Sequence, residues 1–294
     1  MAHYPVLLPQ VLEFLNIDPS GLYVDCTLGE SRYAEAILSR LDSGRLIAID
    51  WDRDAIELAR GRLHEWSGRV SFHHTSYGDI EGVLGSERPQ GIVADLGLSR
   101  GQFESGARGF SLRRQGPLDM RMDRRRPLTA DVIVNQYDER RLADLIFEFG
   151  EERRSFRIAK AIVRGRPIRD TAHLAEIVAQ AVPRTPRMKI HPATRTFQAI
   201  RIAVNDELVE LDRLLEAAPP LLAPGGRMVV VSFHSLEDRR VKQSFRRWAD
   251  RDLLALLTKR VVRPGEDEVA ENPASRSAKL RAAERTKKLW QPLN

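Results

Sequence analysis

The chain has 294 residues, of which 42% are apolar and 30% charged, enough to bury the core of one large domain or two ordinary ones. Its 47 basic and 41 acidic residues leave a formal charge of +6, and 40 of the basic residues are arginine, a residue that holds phosphates through a planar fork. The single cysteine, Cys26, excludes a disulfide framework or a cysteine zinc site, and no stretch approaches the roughly 18 apolar residues of a membrane span, so the expectation is a cytoplasmic globule with no membrane association.

Short β-branched runs recur through the first hundred residues, at 22–26 (LYVDC), 45–50 (RLIAID), 70–74 (VSFHH) and 91–96 (GIVADL). Segments with helical periodicity, 33–41 and 54–64, lie between them. Strands alternating with helices at this spacing predict βαβ units and a parallel sheet covered on both faces.

A loop rich in Gly and Arg then runs to about residue 127, after which helical periodicity takes over. Leu142, Leu145, Ile146 and Phe149 share one face, Phe156, Ala159 and Val163 a second, and Leu174, Ile177, Val178 and Ala181 a third. From Pro192, the spacing of Phe197, Ile200, Val204, Leu208, Leu211 and Leu215 predicts one helix of about six turns. Pro224 and the pair Gly225 and Gly226 turn the chain into a further strand over 228–233. The expected fold is α/β: a Rossmann-like sheet domain over 1–105 and 195–294, with a small helical domain inserted over 106–194. The basic stretch 272–288 reads either as a solvated arm or as a nucleic-acid contact.

Ligands of open α/β sheets bind beyond the carboxyl ends of the strands. Asp25, Asp50 and Asp95 end strands one, two and four, and three carboxylates on one rim repel unless a ligand or helix start offsets them. Asp50 stands 21 residues after Gly29, near the spacing at which an acid takes ribose hydroxyls. The intervening loop, Leu28-Gly29-Glu30-Ser31-Arg32-Tyr33, lacks the GxGxxG that lets backbone approach a pyrophosphate. A nucleoside cofactor without phosphate, such as S-adenosylmethionine, makes no such demand, so a methyltransferase fits better than a dehydrogenase.

Between positions 108 and 126, seven arginines (Arg108, Arg113, Arg114, Arg121, Arg124, Arg125, Arg126) stand against Asp119 and Asp123. This loop follows strand four, where a base would enter, so it is the candidate RNA contact; a solvated charged loop is the plainer alternative.

Several long segments make a family resemblance specific: HYPVLLPQVLEFL, VADLGLSRGQF, ARGFSLRRQGPLDMRMD, FGEERRSFRIAKAI, HPATRTFQAIRIAVNDEL, GGRMVVVSFHSLEDRRVK and ENPASRSAKLRAAER. Spread over almost the whole chain, they resemble the ribosomal RNA small-subunit methyltransferase H family, also called MraW. The resemblance implies a class I methyltransferase domain with an inserted helical domain. It also implies S-adenosylmethionine as cofactor, and methylation of N4 of a cytidine in the decoding region of 16S rRNA of the small ribosomal subunit. It places cofactor positions at Ser31, Arg32, Tyr33, Asp50, Tyr77, Asp95 and Gln102, to which the rim argument adds Asp25. This chain has Glu30-Ser31-Arg32 where the family usually carries glycines. Arg32 there either repels a cationic donor or pairs with the carboxylate of its methionine end.

An exocyclic cytosine amine is a poor nucleophile and needs alignment and a hydrogen-bond acceptor. Asp95, Ser99 and His234 are the candidate catalytic acceptors, the alternative for His234 being a structural hydrogen bond after a strand. Ser232, His234, Ser235 and Asp238 are sequence neighbours rather than a triad drawn from separate segments. The histidines lack metal-ligand spacing, so no metal is expected. The rival functions are a DNA amino-methyltransferase, whose Pro-Pro-aromatic motif is absent, and a non-catalytic ribosome-assembly or RNA-binding protein with a degenerate cofactor loop. A homodimer stays open.

Overall fold

The computed structural model of the protein describes residues 5–99, 101–102, 106–112, 114–182 and 190–287. They form two compact units, a sheet unit over 1–97 and 208–294 and a helical unit over 98–207.

In the sheet unit, β1 (Leu22–Asp25), β2 (Arg45–Asp50), β3 (Val70–His74), β4 (Gly91–Asp95) and β5 (Arg227–Ser232) are parallel. Two further strands, β6 (Leu254–Leu256) and β7 (Lys279–Arg285), run antiparallel, giving the order β3-β2-β1-β4-β5-β7-β6. The reversals of strand order and the parallel core make this the Rossmann-like sheet expected from the sequence. Side chains alternate between two apolar layers. Val24, Ile47, Ile49, Ile92, Ala94, Met228 and Val230 pack on one face, and Tyr23, Leu46, Ala48, Val93, Val229 and Val231 on the other. Burial on both faces is why these strands read as continuous apolar runs. One layer is closed by α4 (Ile80–Leu84), α10 (Glu207–Leu221) and α11 (Ser235–Asp250), the other by α1 (Leu8–Leu15), α2 (Arg32–Leu38) and α3 (Arg53–Arg62). The short α12 (Glu266–Glu271) donates no strand but ties the chain down, its Glu268 Oε1 accepting the Leu7 N–H at 2.7 Å.

Among the described residues, the helical unit contains α5 (Ala130–Gln136), α6 (Glu139–Gly150), α7 (Ser155–Arg164), α8 (Thr171–Ala181) and α9 (Thr194–Asn205). Thr129, Asp138 and Asp170 cap α5, α6 and α8, each side chain accepting a first-turn N–H. No helix among the described residues is long and apolar enough to cross a membrane.

Three expectations are corrected. The single six-turn helix is broken at Asp206, whose φ of 51° ends α9 and starts α10. The inward face of α7 is Ser155, Ile158, Ala159 and Ile162, so Phe156 is turned out and 57% exposed. The basic stretch after 272 is no arm: residues 279–285 form β7, hydrogen-bonded between β5 and β6, with Leu280, Ala282 and Ala283 fully buried.

Candidate active site

The carboxyl ends of β1, β2 and β4 bring Asp25, Asp50 and Asp95 to one edge of the sheet unit. Asp25 is fully buried; its Oδ1 accepts the Thr27 N–H at 3.1 Å, while Oδ2 has no hydrogen-bond partner. Burial raises its pKa to about 7, the Asp50 charge adding to the rise and the N–H groups of Thr27 and Ala34 opposing it. Asp50 accepts from the Gly29 and Asp52 N–H groups, each at 2.8 Å, and burial lifts its pKa to about 6 against those bonds.

Asp95 is pushed well above the usual carboxylate range, first by burial and then by the charges of Asp25 and Glu237. Its Oδ1 is buried without a partner, and its N–H donates to Thr27 Oγ1 at 2.6 Å. Two orphaned acceptors, Asp25 Oδ2 and Asp95 Oδ1, are unusual because buried polar atoms are normally satisfied.

The first loop is held by short local bonds. Gly29 and Ser31 both take left-handed backbone, with φ of 46° and 59°. Ser31 is buried and its hydroxyl donates to the Glu30 carbonyl at 2.7 Å. A serine therefore occupies a conformation that glycine adopts without strain. Arg32 reaches along its own helix to Glu35 at 3.5 Å, a partner that neither sequence-based alternative supplied, and its Nε is buried without a partner. The Tyr33 hydroxyl donates to the Val6 carbonyl, so this ring fixes the N-terminal segment, and burial raises its pKa well above the ordinary value.

An aromatic corner adjoins Asp50. The Trp51 and Tyr77 ring centroids are 5.1 Å apart at 47°, Tyr77 being buried and Trp51 half-buried. Sequence reasoning missed Trp51; its position directly after the acidic end of β2 was the available signal. It also missed Thr27 and Glu237, whose partners only the fold supplies.

His234 caps α11. Its Nδ1 accepts the Glu237 N–H at 3.4 Å, and Glu237 Oε2 accepts from the Phe233 and His234 N–H groups at 2.8 and 3.2 Å. Its Nε2 lies 3.0 Å from Glu237 Oε1 without hydrogen-bond geometry. This is the structural hydrogen bond that the sequence left as the alternative.

In the helical unit, Ser99 N–H donates to Gln102 Oε1 at 3.1 Å, and the Gln102 N–H donates to Ser99 Oγ at 3.3 Å. The arginine-rich loop spends much of its charge on itself. Arg108 is buried and donates to the Arg121 and Met122 carbonyls, both at 2.7 Å. Arg121 pairs with Asp119 at 2.7 Å, Arg125 with Asp123 at 2.8 Å, and Arg126 with Asp206. Despite burial, which raises it, the Asp119 pKa is held below the ordinary value by Arg121. Arg114 and Arg124 are exposed; Arg113 lies outside the described residues. Buried Asn205 anchors the loop, accepting from Met122 N–H at 2.7 Å and donating to the Met120 carbonyl at 2.8 Å. At Gly109, with φ of 74°, a Cβ would stand 1.9 Å from the Pro117 carbonyl oxygen, so the loop closes only around glycine.

The model of the MraW methylase family matches residues 1–286. A Ribosomal RNA small subunit methyltransferase H of Solibacter usitatus is 50% identical over 285 residues, covering 96% of this chain and 99% of the relative. One of the same name from Acidobacterium capsulatum is 48% identical over 291 residues, covering 96% and 98%. Among solved structures, an rRNA-methylase candidate from Clostridium thermocellum superposes with a TM-score of 0.50 at 12% identity, covering 97% of this chain and all of that one, a likeness of fold alone.

Proposed function

The chain belongs to the MraW methylase family, and from that premise we propose that it methylates N4 of a cytidine in the decoding region of small-subunit ribosomal RNA, with S-adenosylmethionine as donor. The observation that carries the reading is the pair of buried, orphaned oxygens, Asp25 Oδ2 and Asp95 Oδ1, on neighbouring strands. Buried acceptors facing no donor call for a cationic or hydrogen-bond-donating ligand.

The residues fit such a donor. A sulfonium cation offsets the mutual repulsion of the rim, the Asp50 carboxylate suits ribose hydroxyls, and the Trp51 and Tyr77 rings offer an apolar face for adenine. Bound S-adenosylmethionine supplies a methyl group already activated by the positive sulfur. The protein's part is to bind, orient and accept a proton. Asp95, with its raised proton affinity, accepts a hydrogen bond from the exocyclic amine and directs the nitrogen lone pair away from the ring. Ser99 and His234 are secondary acceptor positions, each with part of its capacity committed, to Gln102 and to the α11 cap. Ser31, Arg32, Tyr33 and Gln102 complete the cofactor set, the Tyr33 hydroxyl being committed to the Val6 carbonyl.

Within the arginine-rich loop, the exposed cations Arg114, Arg124 and Arg125 meet RNA phosphates, while Arg108, Arg121 and Arg126 set the loop's shape. The target base is single-stranded or swung from its stack. Fully buried Cys26, whose pKa burial raises well above its ordinary value, suits a reducing cytoplasm. Nucleoside mass spectrometry of small-subunit rRNA from cells lacking the protein tests the assignment. Loss of N4-methylcytidine is expected, and an unchanged level overturns it.

A further inference from the structure

The exposed side of α7 carries a second concentration of charge, in a form that differs from the loop. The helix SFRIAKAIVR buries Ser155, Ile158, Ala159 and Ile162, and contains no acidic residue. Opposite that stripe stand Arg157, Lys160 and Arg164, all exposed, at intervals of three and four. At 3.6 residues per turn they fall within an arc of about 60° over roughly 10 Å of helix. Exposed Arg153, just before the helix, extends the row by one more interval of four. None of these four forms an ion pair among the described residues, whereas Arg121, Arg125 and Arg126 in the loop all do. Like charges at this spacing repel, so the row gives the helix no side-chain ion pairs of its own. Phe156, 57% exposed, lies beside the row.

We propose that this face of α7 is an RNA docking surface, its cations following consecutive phosphates and Phe156 stacking on an unpaired base. Charge complementarity selects a polyanion, and an aromatic ring set among cations is the arrangement that holds single strands without reading sequence. A membrane surface fits less well, because the apolar stripe of α7 is buried in the helical unit and only one apolar ring is turned outward. The inference rests on the rRNA-methyltransferase reading for the kind of polyanion, but not on methyl transfer itself.

The test uses the full chain and a fluorescein-labelled single-stranded RNA of mixed sequence, with binding followed by anisotropy across a series of KCl concentrations. Arg157→Gln/Lys160→Gln/Arg164→Gln removes three contacts, so the slope of log K against log salt becomes shallower by about 2, with at least a roughly tenfold loss of affinity at low salt. S-adenosylmethionine binding by calorimetry stays unchanged. Arg40→Gln/Arg60→Gln/Arg88→Gln removes equal charge from the exposed surface of the sheet unit and leaves the slope intact. Phe156→Ala lowers affinity about fivefold or more at unchanged slope. An unaltered slope in the α7 variant, or equal changes in both triple variants, overturns the proposal. Loss of the N4-methylation assignment leaves this readout standing, because it requires no turnover.

Discussion

Burial raises the proton affinity of Asp95, and the charge of Asp25 on the adjacent strand raises it further. Asp25 pairs in register with Val93, two residues before Asp95, and each carboxyl keeps one buried oxygen without a partner. Two acids on neighbouring strand ends form a site that is poorly settled on its own and becomes settled when a cation joins it.

The free protein is expected to lose thermal stability as pH rises from about 4 to about 7. Asp25 and Asp50, near 7 and 6, bind protons more tightly when folded than in an unfolded chain, where a carboxyl titrates near 4. That preference is fully present below the unfolded value and is lost as pH passes through the folded ones, so the slope is negative. For Asp25 the difference corresponds to at most roughly 4 kcal/mol. Asp25→Asn makes the profile shallower between about 4 and about 7, measured as Tm against pH; a profile identical to wild type contradicts the assignment.

Asp95→Asn keeps the shape of the side chain and removes its capacity as a base. Turnover of rRNA should fall by about a hundredfold or more, while RNA affinity stays within about twofold. Equal losses in kcat and RNA binding would show that Asp95 shapes the surface instead of serving the chemistry.

Trp51→Ala and Tyr77→Ala each remove one ring of the aromatic corner. Each is expected to weaken S-adenosylmethionine binding by roughly tenfold, in calorimetry without RNA. Tyr77→Phe keeps the ring and should bind as the wild type does. Normal affinity in both alanine variants would place the adenine elsewhere.

His234→Ala should lower stability by about 1 kcal/mol through loss of the α11 cap, and His234→Asn, a good capping residue, should restore it. Turnover measured beside Tm separates the roles. Recovery of both with Asn identifies a cap; recovery of Tm alone identifies an acceptor in the reaction.

The parallel strands were legible because burial on both faces leaves few polar interruptions, and β2 and β3 match their sequence limits. The carboxylate rim was legible for a related reason, since an acid that closes an apolar run marks the point where a strand leaves the core. β7 was hidden by the charges of Lys279, Arg281, Glu284 and Arg285, two of which are paired at the sheet, Arg281 with Asp238 at 2.7 Å and Glu284 with Arg227 at 2.9 Å. The face of α7 was misphased because Phe156 was counted as apolar and therefore inward, while Ile158 and Ile162 decided the phase. Likewise, the arginine-rich loop showed its charge in the sequence but not its internal partners, which depend on Asn205, far along the chain, and on the backbone carbonyls of Arg121 and Met122.

The order in which the chain leaves the ribosome gives the discontinuous sheet unit a consequence for assembly. Residues 98–207 are a single stretch that makes one compact unit, so its chain is complete as soon as α9 is made, before the last strands of the sheet unit have emerged. The first four parallel strands must wait for β5, and β5 and β6 acquire their common neighbour only when 279–285 emerge. The sheet unit is thus the last to be completed, and a chain cut short before β7 leaves the edge of β5 unpaired.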